Sequence, residues 1–354
     1  MNAAAPTTVA SIICGTVASI FFIFGCAGPV DENAPDYAEF ESVRQHLKVY
    51  SIYQDRVPAD PFAFETPEDI MLAIADTLYG SDINHHYTRY LYDVPPAVTT
   101  TSSAESIAPL AVAGNEIVTF DSLTDSTACI KIKSFEYGVT FNQFMALLPK
   151  VYNRFPNLII DLRSNGGGEI DEATSIIDAF LPVNTPYIQA REREYHEDTH
   201  TDTTIDWHPW RTVEIARVEL RDKKIVILMD ANSASASEIV IAALKDGPTG
   251  ATLVGTRSYG KGIGQIRLQR RDRLTLQITF LQLKGITDRT GDYHHKGIEP
   301  DIPASGTCEQ WLLTAVQVHE PQVTSLPPQN PCNRNKQAPR FTLEPAGYRV
   351  VYEE

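Results

Sequence analysis

Residues 224–237 read Lys-Ile-Val-Ile-Leu-Met-Asp-Ala-Asn-Ser-Ala-Ser-Ala-Ser. The apolar run after the lysine is typical of a short strand that is buried on both faces. It leads directly into a turn of small residues with three hydroxyls, and Glu238 and a second apolar run follow. This order predicts a buried strand, a tight turn and a helix, with the serines at the end of the strand.

The segments around this stretch alternate between strand and helix patterns. Strands are predicted at 128–132, 157–163, 224–229, 252–256 and 273–284, and helices at 140–152, 170–180 and 237–245. Pro149 is expected to kink or end the first of these helices. Strands that alternate with helices indicate an α/β fold, in which the functional residues gather at the strand ends.

A lysine between two glycines, Lys261 in Gly260-Lys-Gly262, follows the serine-rich turn along the chain. A serine hydroxyl is a poor nucleophile by itself, so a neighbouring base must take its proton. A lysine amine can be that base only where burial lowers its pKa towards neutrality. The two motifs therefore indicate a serine nucleophile beside a lysine base.

The composition limits the class of partner. The 354 residues carry a formal net charge of −15, and the pI is near 5.0. Binding of nucleic acid phosphates needs concentrated Lys and Arg, so this balance argues against nucleic acid as the main partner. The length is sufficient for one large core and a smaller accessory unit. The oligomeric state stays open.

The N-terminal segment indicates export. Residues 10–28 contain no charged side chain, and a stretch of this length suits a secretory signal or a membrane anchor. Residues 23–27, Ile-Phe-Gly-Cys-Ala, resemble a bacterial lipoprotein cleavage box in which Cys26 would carry the lipid. A lipoprotein, an uncleaved anchor and a simple signal remain open alternatives. All three indicate export, and the expected location is the cell envelope, on its periplasmic or surface side, with attachment to the membrane as a lipoprotein.

Composition also suggests how the chain is divided. The predicted segments are a signal or anchor at 1–26, a tether at 27–37, an N-terminal helical domain at 38–93, a Pro/Thr/Ser-rich linker at 94–125, an α/β catalytic domain at 126–306 and a Pro-rich extension at 307–354. In the helical domain, Phe40, Val43 and Leu47 fall on one face, as a packed helix requires.

Cysteine usage is compatible with export. Cys308 and Cys332 flank the Pro-rich tail and can pair in an oxidising compartment. Cys129 lies in a strand-like run and is expected to be a small buried apolar residue. No CxxC or CxxH spacing occurs, so the sequence does not support a structural zinc site.

Five motifs occur in an order that characterises one enzyme family. They are Tyr87-Thr-Arg-Tyr-Leu91, Leu158-Ile-Ile-Asp-Leu-Arg-Ser-Asn-Gly-Gly-Gly168, Ser233-Ala-Ser-Ala-Ser-Glu-Ile239, Gly260-Lys-Gly-Ile-Gly-Gln265 and Gly297-Ile-Glu-Pro-Asp301. In this order the chain resembles the carboxyl-terminal processing (tail-specific) serine proteases, peptidase family S41. The resemblance implies a crotonase/ClpP-like catalytic core with a small N-terminal helical domain. Residues 92–127 lack the strand pattern of a PDZ domain, so a variant without that domain is expected.

The resemblance also assigns roles to residues. It implies that Ser235 is the nucleophile, that Lys261 is the general base and that Gln265 orients the lysine amine. Asp246 matches an acid of the pattern and is expected to be structural. The implied activity is hydrolysis of unfolded or flexible proteins through an acyl-enzyme, without a cofactor or metal. Without a PDZ domain, substrate choice would depend on the cleft, for example by addition of the peptide as a strand to a sheet edge.

An oxyanion hole is expected beside the nucleophile. The N–H of Ala236 lies at the predicted helix start, where free N–H groups and the positive helix end favour negative charge. A second donor is expected from the glycine turn at 166–168, where no side chain blocks the backbone. Relatives often have proline in place of Gly166, which leaves Gly167 as the expected donor and Gly168 as the next choice.

One rival motif is present. Residues His196-Glu-Asp-Thr-His200 match the HExxH pattern of zinc proteases, with Glu197 as the base and His208 as a possible third ligand. Zinc binding would require both histidines on one face of a helix. The flanks at 187–194 and 212–219 look extended, so a hairpin tip is expected instead. A zinc metalloprotease and a non-catalytic peptide- or ligand-binding module are the alternatives to a serine protease.

Overall fold

The structure, a computed structural model, describes residues 37–74, 88–91, 116–196, 201–213, 220–269, 275–328, 330–334 and 348–352. Ala38–Glu354 cluster as one unit and Met1–Tyr37 as another. The predicted signal or anchor, Cys26 and nearly all of the predicted tether therefore lie outside the described residues. No described helix has both the length and the apolarity needed to cross a bilayer.

Helices and strands alternate between residues 127 and 196 and again between residues 224 and 255, and elements of one kind follow one another in the rest of the described chain. In chain order the elements are α1 (Tyr37–Tyr50), α2 (Pro67–Ile74), β1 (Arg89–Leu91), β2 (Val118–Ser122), β3 (Thr127–Ile132), α3 (Thr140–Val151), β4 (Asn157–Asp161), α4 (Ile170–Asp178), β5 (Pro186–His196), β6 (Thr201–Arg211), β7 (Lys224–Met229), α5 (Ala236–Asp246), β8 (Thr252–Gly255), β9 (Ile263–Gln269), β10 (Thr275–Lys284), β11 (Ile302–Pro303), α6 (Cys308–Gln317), α7 (Pro331–Arg334) and β12 (Tyr348–Tyr352). Two short 3₁₀ turns, Gln54–Arg56 and Pro61–Ala63, lie between α1 and α2.

The first sheet has the strand order β11-β8-β7-β4-β3-β2, and its neighbours are parallel except for the antiparallel pair β2 and β3. The middle of its central strands is apolar, at Leu158–Ile160 of β4 and Ile225–Met229 of β7, because both faces of the sheet are covered. Ile160 of β4 and Ile227 of β7 pack with residues of α3, α4 and α5. Ile159 and Val226, one residue earlier in each strand, pack with α6. The predicted α/β fold class is confirmed.

The second sheet has the order β12-β9-β10-β5-β6, and β1 pairs with β10. Helices α1 and α2 pack on it, with Leu47 and Ile70 in one buried cluster with Leu268 and Ile278. The N-terminal helices predicted within 38–93 are therefore present, but they share one compact unit with the sheets. Residues Arg89–Leu91 of that segment form a strand, because β1 pairs with β10 of the second sheet.

The predicted linker at 94–125 ends earlier than expected. Strand β2 lies within it and pairs with β3, with Val118 opposite Ile132. The sequence Val-Thr-Phe-Asp-Ser of β2 is half polar, which an edge strand tolerates because one row of its side chains faces solvent or loops. Residues 92–115, where a PDZ domain would have to be inserted, lie outside the described residues.

The hairpin around the HExxH motif is longer than predicted. Its first strand, β5, matches the expected extended flank, and its second strand, β6, is formed by Thr201–Arg211, which precede the predicted second flank at 212–219. Residues 214–219 of that flank lie outside the described residues. Threonines at 201, 203 and 204 favour this strand, because branching at Cβ suits an extended backbone.

Pro149 does not end α3, since the helix continues to Val151. Of the two expected effects, a kink or an end, the end does not occur at Pro149, which lies in the last turn of the helix. There it removes only one backbone hydrogen bond near a helix end, and Tyr152 N still donates to Leu148 O at 2.9 Å.

The C-terminal extension is built into the fold. Helix α6 covers one face of the first sheet, with Leu312 and Val316 fully buried. Cys308, the first residue of α6, forms a disulfide with Cys332. Strand β12 adds in parallel to β9, with Tyr348 opposite Gln265. Cys129 is buried and unpaired, as predicted.

A buried ion cluster ends β4 and directs the chain into the glycine turn. The Asp161 carboxylate accepts bonds from Arg163 N, Nε and Nη2 at 3.0, 2.9 and 2.8 Å, and from Lys131 Nζ at 3.3 Å. Burial alone would raise the pKa of Asp161, but the charges of Lys131 and Arg163 outweigh it and bring the pKa to about 2. The carboxylate is therefore ionised and fixes the backbone just before residues 164–168.

Asp161→Asn is expected to lower the free energy of unfolding by about 3–5 kcal/mol, because it leaves two largely buried cations without their counter-charge. Urea denaturation at pH 7 measures this. Asp292→Asn, which removes an exposed partner of Lys296, should change the value by less than about 1 kcal/mol. Asp161 contributes to the free energy of unfolding above its ordinary pKa of 3.8, and this contribution is lost as the pH falls to about 2. Equal stability of Asp161→Asn and wild type at pH 7 would contradict this role.

Candidate active site

Ser235 lies on a strained turn between β7 and α5. Its backbone has φ 56° and ψ −118°, a left-handed conformation that costs a residue other than glycine about 1–3 kcal/mol. Neighbouring bonds hold it there, since Ser237 N donates to Ala234 O at 3.1 Å and Glu238 N to Ser235 O at 2.8 Å. A sharp strand-to-helix turn of this kind displays a nucleophile at the end of a sheet.

The glycine turn after β4 lies directly against the serine turn. The carbonyl oxygen of Asn165 accepts a bond from Ala234 N at 3.1 Å and another from Ser237 Oγ at 2.9 Å. A Cβ on Gly167 would lie 2.8 Å from both Ala234 O and Ser235 Cβ. Only a glycine fits at 167, because its φ of +102° is also unfavourable for other residues.

The predicted oxyanion donors lie side by side, but one of them is engaged. Ala236 is the first residue of α5, so no carbonyl within the helix can accept its N–H. The Gly167 N–H donates to the Asn165 side chain, Oδ1, at 2.9 Å. Gly168, the next choice, packs on the backbone of Phe135 instead.

Lys261 is brought to the serine turn by one buried carboxylate. Oε2 of Glu238 accepts a bond from Ser235 N at 3.0 Å and another from Lys261 N at 2.7 Å. Two residues that are far apart along the chain therefore contact the same oxygen atom. Lys261 is 1% exposed and Ser235 is 4% exposed, so both lie in an environment with little solvent.

Gln265 lies near the start of β9, between Thr279 of β10 and Tyr348 of β12. It is buried, and its Nε2 makes no hydrogen bond within the described part of the chain. Its role in orienting the Lys261 amine stays a prediction.

Asp246 lies at the end of α5 and accepts bonds from Thr287 N at 2.9 Å, Thr287 Oγ1 at 2.7 Å and Thr290 Oγ1 at 2.6 Å. These contacts agree with a structural role, in which Asp246 holds the turn after β10.

Two residues at the site, Glu238 and Asn165, were not predicted to act there. Burial raises the pKa of Glu238, although its four hydrogen bonds oppose the shift. The spacing Ser235-x-x-Glu238 is a capping-box signature, so sequence could have indicated the bond from Glu238 to Ser235 N. The bond from Lys261 N to Glu238 has no comparable signature in the sequence, because it joins two segments that are far apart along the chain.

Tyr293 packs beside the lysine loop, since a Cβ on Gly262 would lie 3.2 Å from its ring. Its hydroxyl is buried without a hydrogen-bond partner in the described residues. Burial, together with the charge of Glu238, raises the pKa of Tyr293.

The first histidine of the HExxH motif does not have the helical backbone that a zinc site of this type needs. His196 is the last residue of β5 and pairs with Thr201 of β6, so its backbone is extended. Glu197 and His200 lie outside the described residues. His208 is on β6, where its Nε2 lies 2.9 Å from Glu192 Oε1. A site with both histidines on one helical face is not formed at His196.

Comparisons with known proteins point to one family. The family model for peptidase family S41 matches residues 126–304. The "Probable CtpA-like serine protease" of Staphylococcus haemolyticus (strain JCSC1435) is 30% identical over 188 residues, which cover 49% of this chain and 35% of that relative. The chain therefore spans only about a third of the length of the curated relatives it matches.

Two solved structures share the fold over most of their length. One is a protein from Bacteroides fragilis NCTC 9343 assigned to the S41 proteases, with a TM-score of 0.53, which covers 80% of this chain and 98% of its own. The other is a lipoprotein from Streptococcus agalactiae, with a TM-score of 0.51, which covers 85% and 100%. Both are 12% identical to this chain, so the similarity concerns the fold alone.

Gly167→Ala is expected to slow labelling of Ser235 by a fluorophosphonate, a serine-directed acylation mimic, by about 10²–10³-fold, the typical cost of an oxyanion donor, because the new Cβ would lie 3.0 Å from Ala236 N and displace that donor. The added methyl collides with the serine turn. Gly138→Ala is the matched control, because it has a similar positive φ of +69° but open space at its Cβ. Equal labelling rates of the two variants would show that the contact with Ser235 is unimportant.

Proposed function

Because the chain belongs to peptidase family S41, we propose that it is a serine endopeptidase that hydrolyses unfolded or flexible proteins with a Ser235–Lys261 dyad. The observation that best supports this proposal is the Glu238 carboxylate, which binds the backbone of both residues through one oxygen. It joins a nucleophile turn to a buried lysine, which is the arrangement that the chemistry requires.

In the proposed reaction, Ser235 Oγ attacks the peptide carbonyl carbon and its proton passes to the uncharged amine of Lys261. Burial favours that uncharged form, because an ammonium group is costly to remove from water. The tetrahedral intermediate collapses, and Lys261 returns the proton to the leaving amine. Water then attacks the acyl-enzyme, again with Lys261 as base, and restores Ser235 with release of a carboxylic acid.

Negative charge on the substrate oxygen is proposed to be stabilised first by the Ala236 N–H. This group lies at the N-terminus of α5, where the helix dipole also favours an anion. Gly167 lies beside it, but its N–H already donates to Asn165 Oδ1. It can act as the second donor only when it shares or releases that bond as substrate binds.

We further propose that substrate binds as an added strand. The outer edge of β9 already pairs with an extended segment, β12, in parallel. This edge begins beside Gln265, four residues after Lys261, so a peptide that continued along it would approach the dyad. Main-chain pairing of this kind selects for unfolded chains, because a folded substrate has no free strand to offer.

Export with attachment to the cell envelope is proposed on two observations. The first is the uncharged segment at 10–28 with the lipoprotein-like box around Cys26. The second is the Cys308–Cys332 disulfide, since such bonds persist mainly in oxidising compartments.

Cleavage of an unfolded protein tests the dyad. Ser235→Ala and Lys261→Ala should each lower kcat by more than about 10⁴-fold, since residues that act as one unit lose most activity together. Lys296→Ala, an exposed lysine in an ion pair with Asp292, should leave the rate unchanged. A chelator should have no effect on wild type. Inhibition by the chelator with full activity of Ser235→Ala would favour the metalloprotease alternative, and binding without turnover would favour the non-catalytic module.

Truncation after Arg334 tests the strand edge and retains the disulfide. Removal of β12 should raise kcat/KM for an unfolded protein by about threefold or more, because substrate no longer competes with a segment of the chain for β9. Thermal unfolding of both forms shows whether the truncated chain is folded. An unchanged or lower kcat/KM in a folded truncated chain would mean that substrate does not use this edge.

A further inference from the structure

Glu238 makes more contacts than a helix cap requires. It is fully buried in the first turn of α5. Oε2 accepts bonds from Ser235 N and Lys261 N at 3.0 and 2.7 Å, and Oε1 accepts bonds from Gly260 N at 2.7 Å and Ser258 Oγ at 2.5 Å. Only the bond from Ser235 N caps the helix. The other three connect α5 to the loop that carries Lys261.

Each donor is committed to this carboxylate. Backbone N–H groups can only donate, and three of them point at Glu238. The Ser258 hydroxyl already accepts a bond from Ile298 N at 2.7 Å, so its own proton is directed to Glu238 Oε1. Both carboxylate oxygens therefore act as acceptors, each with two donors.

The position of this carboxylate determines how the two turns meet. Ser235 follows β7, whereas Lys261 lies beyond β8 and the loop after it. One backbone bond, from Tyr259 N to Ser233 O at 3.0 Å, also joins these segments. Glu238 contacts both Ser235 and Lys261, and it does so through a single atom, Oε2.

We propose that Glu238 is a positioning residue that holds the nucleophile turn and the base loop at their working separation, and so sets the rate of proton transfer from Ser235 to Lys261. The inference rests on the roles proposed above for Ser235 and Lys261. Glu238 touches neither substrate nor the transferred proton, and it acts through the two backbones.

Glu238→Gln is the sharpest test because it keeps the size of the side chain. An amide has one acceptor oxygen and one NH₂ donor. Because backbone N–H groups point at both carboxylate oxygens of Glu238, the NH₂ of a glutamine would face at least one N–H in either orientation of the amide. The substitution should lower both kcat and the rate of fluorophosphonate labelling by about 10- to 100-fold, with KM within about threefold, as expected for loss of charged hydrogen bonds. Glu299→Gln, an exposed residue paired with Arg257, is the matched control and should match wild type.

A double-mutant cycle separates positioning from loss of folded protein. A lower folded fraction would reduce labelling by the same factor in every background. If Glu238 acts through Lys261, Glu238→Gln should cost less than about threefold in residual labelling when Lys261→Ala is already present. Equal factors in the two backgrounds, or wild-type kinetics of Glu238→Gln, would overturn the proposal.

Ser258→Ala keeps the test usable if Glu238→Gln fails to fold. It removes one of the four donors and should lower the labelling rate by about 3- to 10-fold. Wild-type labelling of folded Ser258→Ala would then overturn the proposal. Labelling of Ser235→Ala distinguishes failure of the proposed serine protease function from failure of the positioning role of Glu238. If it is labelled like wild type, the proposed function fails, whereas loss of labelling in Ser235→Ala with full labelling of Glu238→Gln refutes positioning alone.

Discussion

Parallel pairing of β4 with β7 is the constraint on which the candidate site depends. The two strands run side by side in register from Asn157 opposite Lys224 to Asp161 opposite Leu228. Parallel neighbours deliver their carboxyl ends to the same edge of a sheet, so the glycine turn after β4 and the serine turn after β7 must meet there. The Asn165 carbonyl then joins them through two hydrogen bonds.

Two buried carboxylates complete this edge, and each is fully supplied with donors. Asp161 is held by cations and stays ionised, whereas Glu238 is held chiefly by backbone N–H groups. Buried polar groups of this kind are costly unless every acceptor is used, so each carboxylate tolerates only a narrow range of backbone positions. The site is therefore shaped by polar contacts within an otherwise apolar core.

Sequence reasoning succeeded where one local signal decides the structure. The apolar runs that became β4 and β7, and the small-residue turn at Ser235, were recognisable because strand burial and helix capping have short-range signatures. It failed where tertiary pairing decides. The polar strand β6 forms because β5 lies beside it, and β2 forms because β3 offers an edge. Strand β12 adds to the edge of β9 and comes from the tail at 307–354, which the sequence indicated only as a Pro-rich extension.

The same limit applies to the site. Motif order indicated Ser235, Lys261 and the glycine turn, because those residues carry recognisable chemistry. The bond from Gly167 N–H to the Asn165 side chain depends on a side-chain rotamer, and no spacing along the chain reveals it. Glu238 was visible as half of a capping box, but its contact with Lys261 follows only from the folded chain.

The left-handed backbone of Ser235 has one further consequence. Glycine would occupy that conformation without steric conflict, so a chain optimised for folding alone would not carry a serine there. The hydroxyl is kept at a position where it opposes conformational stability, and the surrounding hydrogen bonds must offset that penalty in every folded molecule. At Ser235, conformational stability would therefore favour glycine, whereas a nucleophilic hydroxyl requires serine.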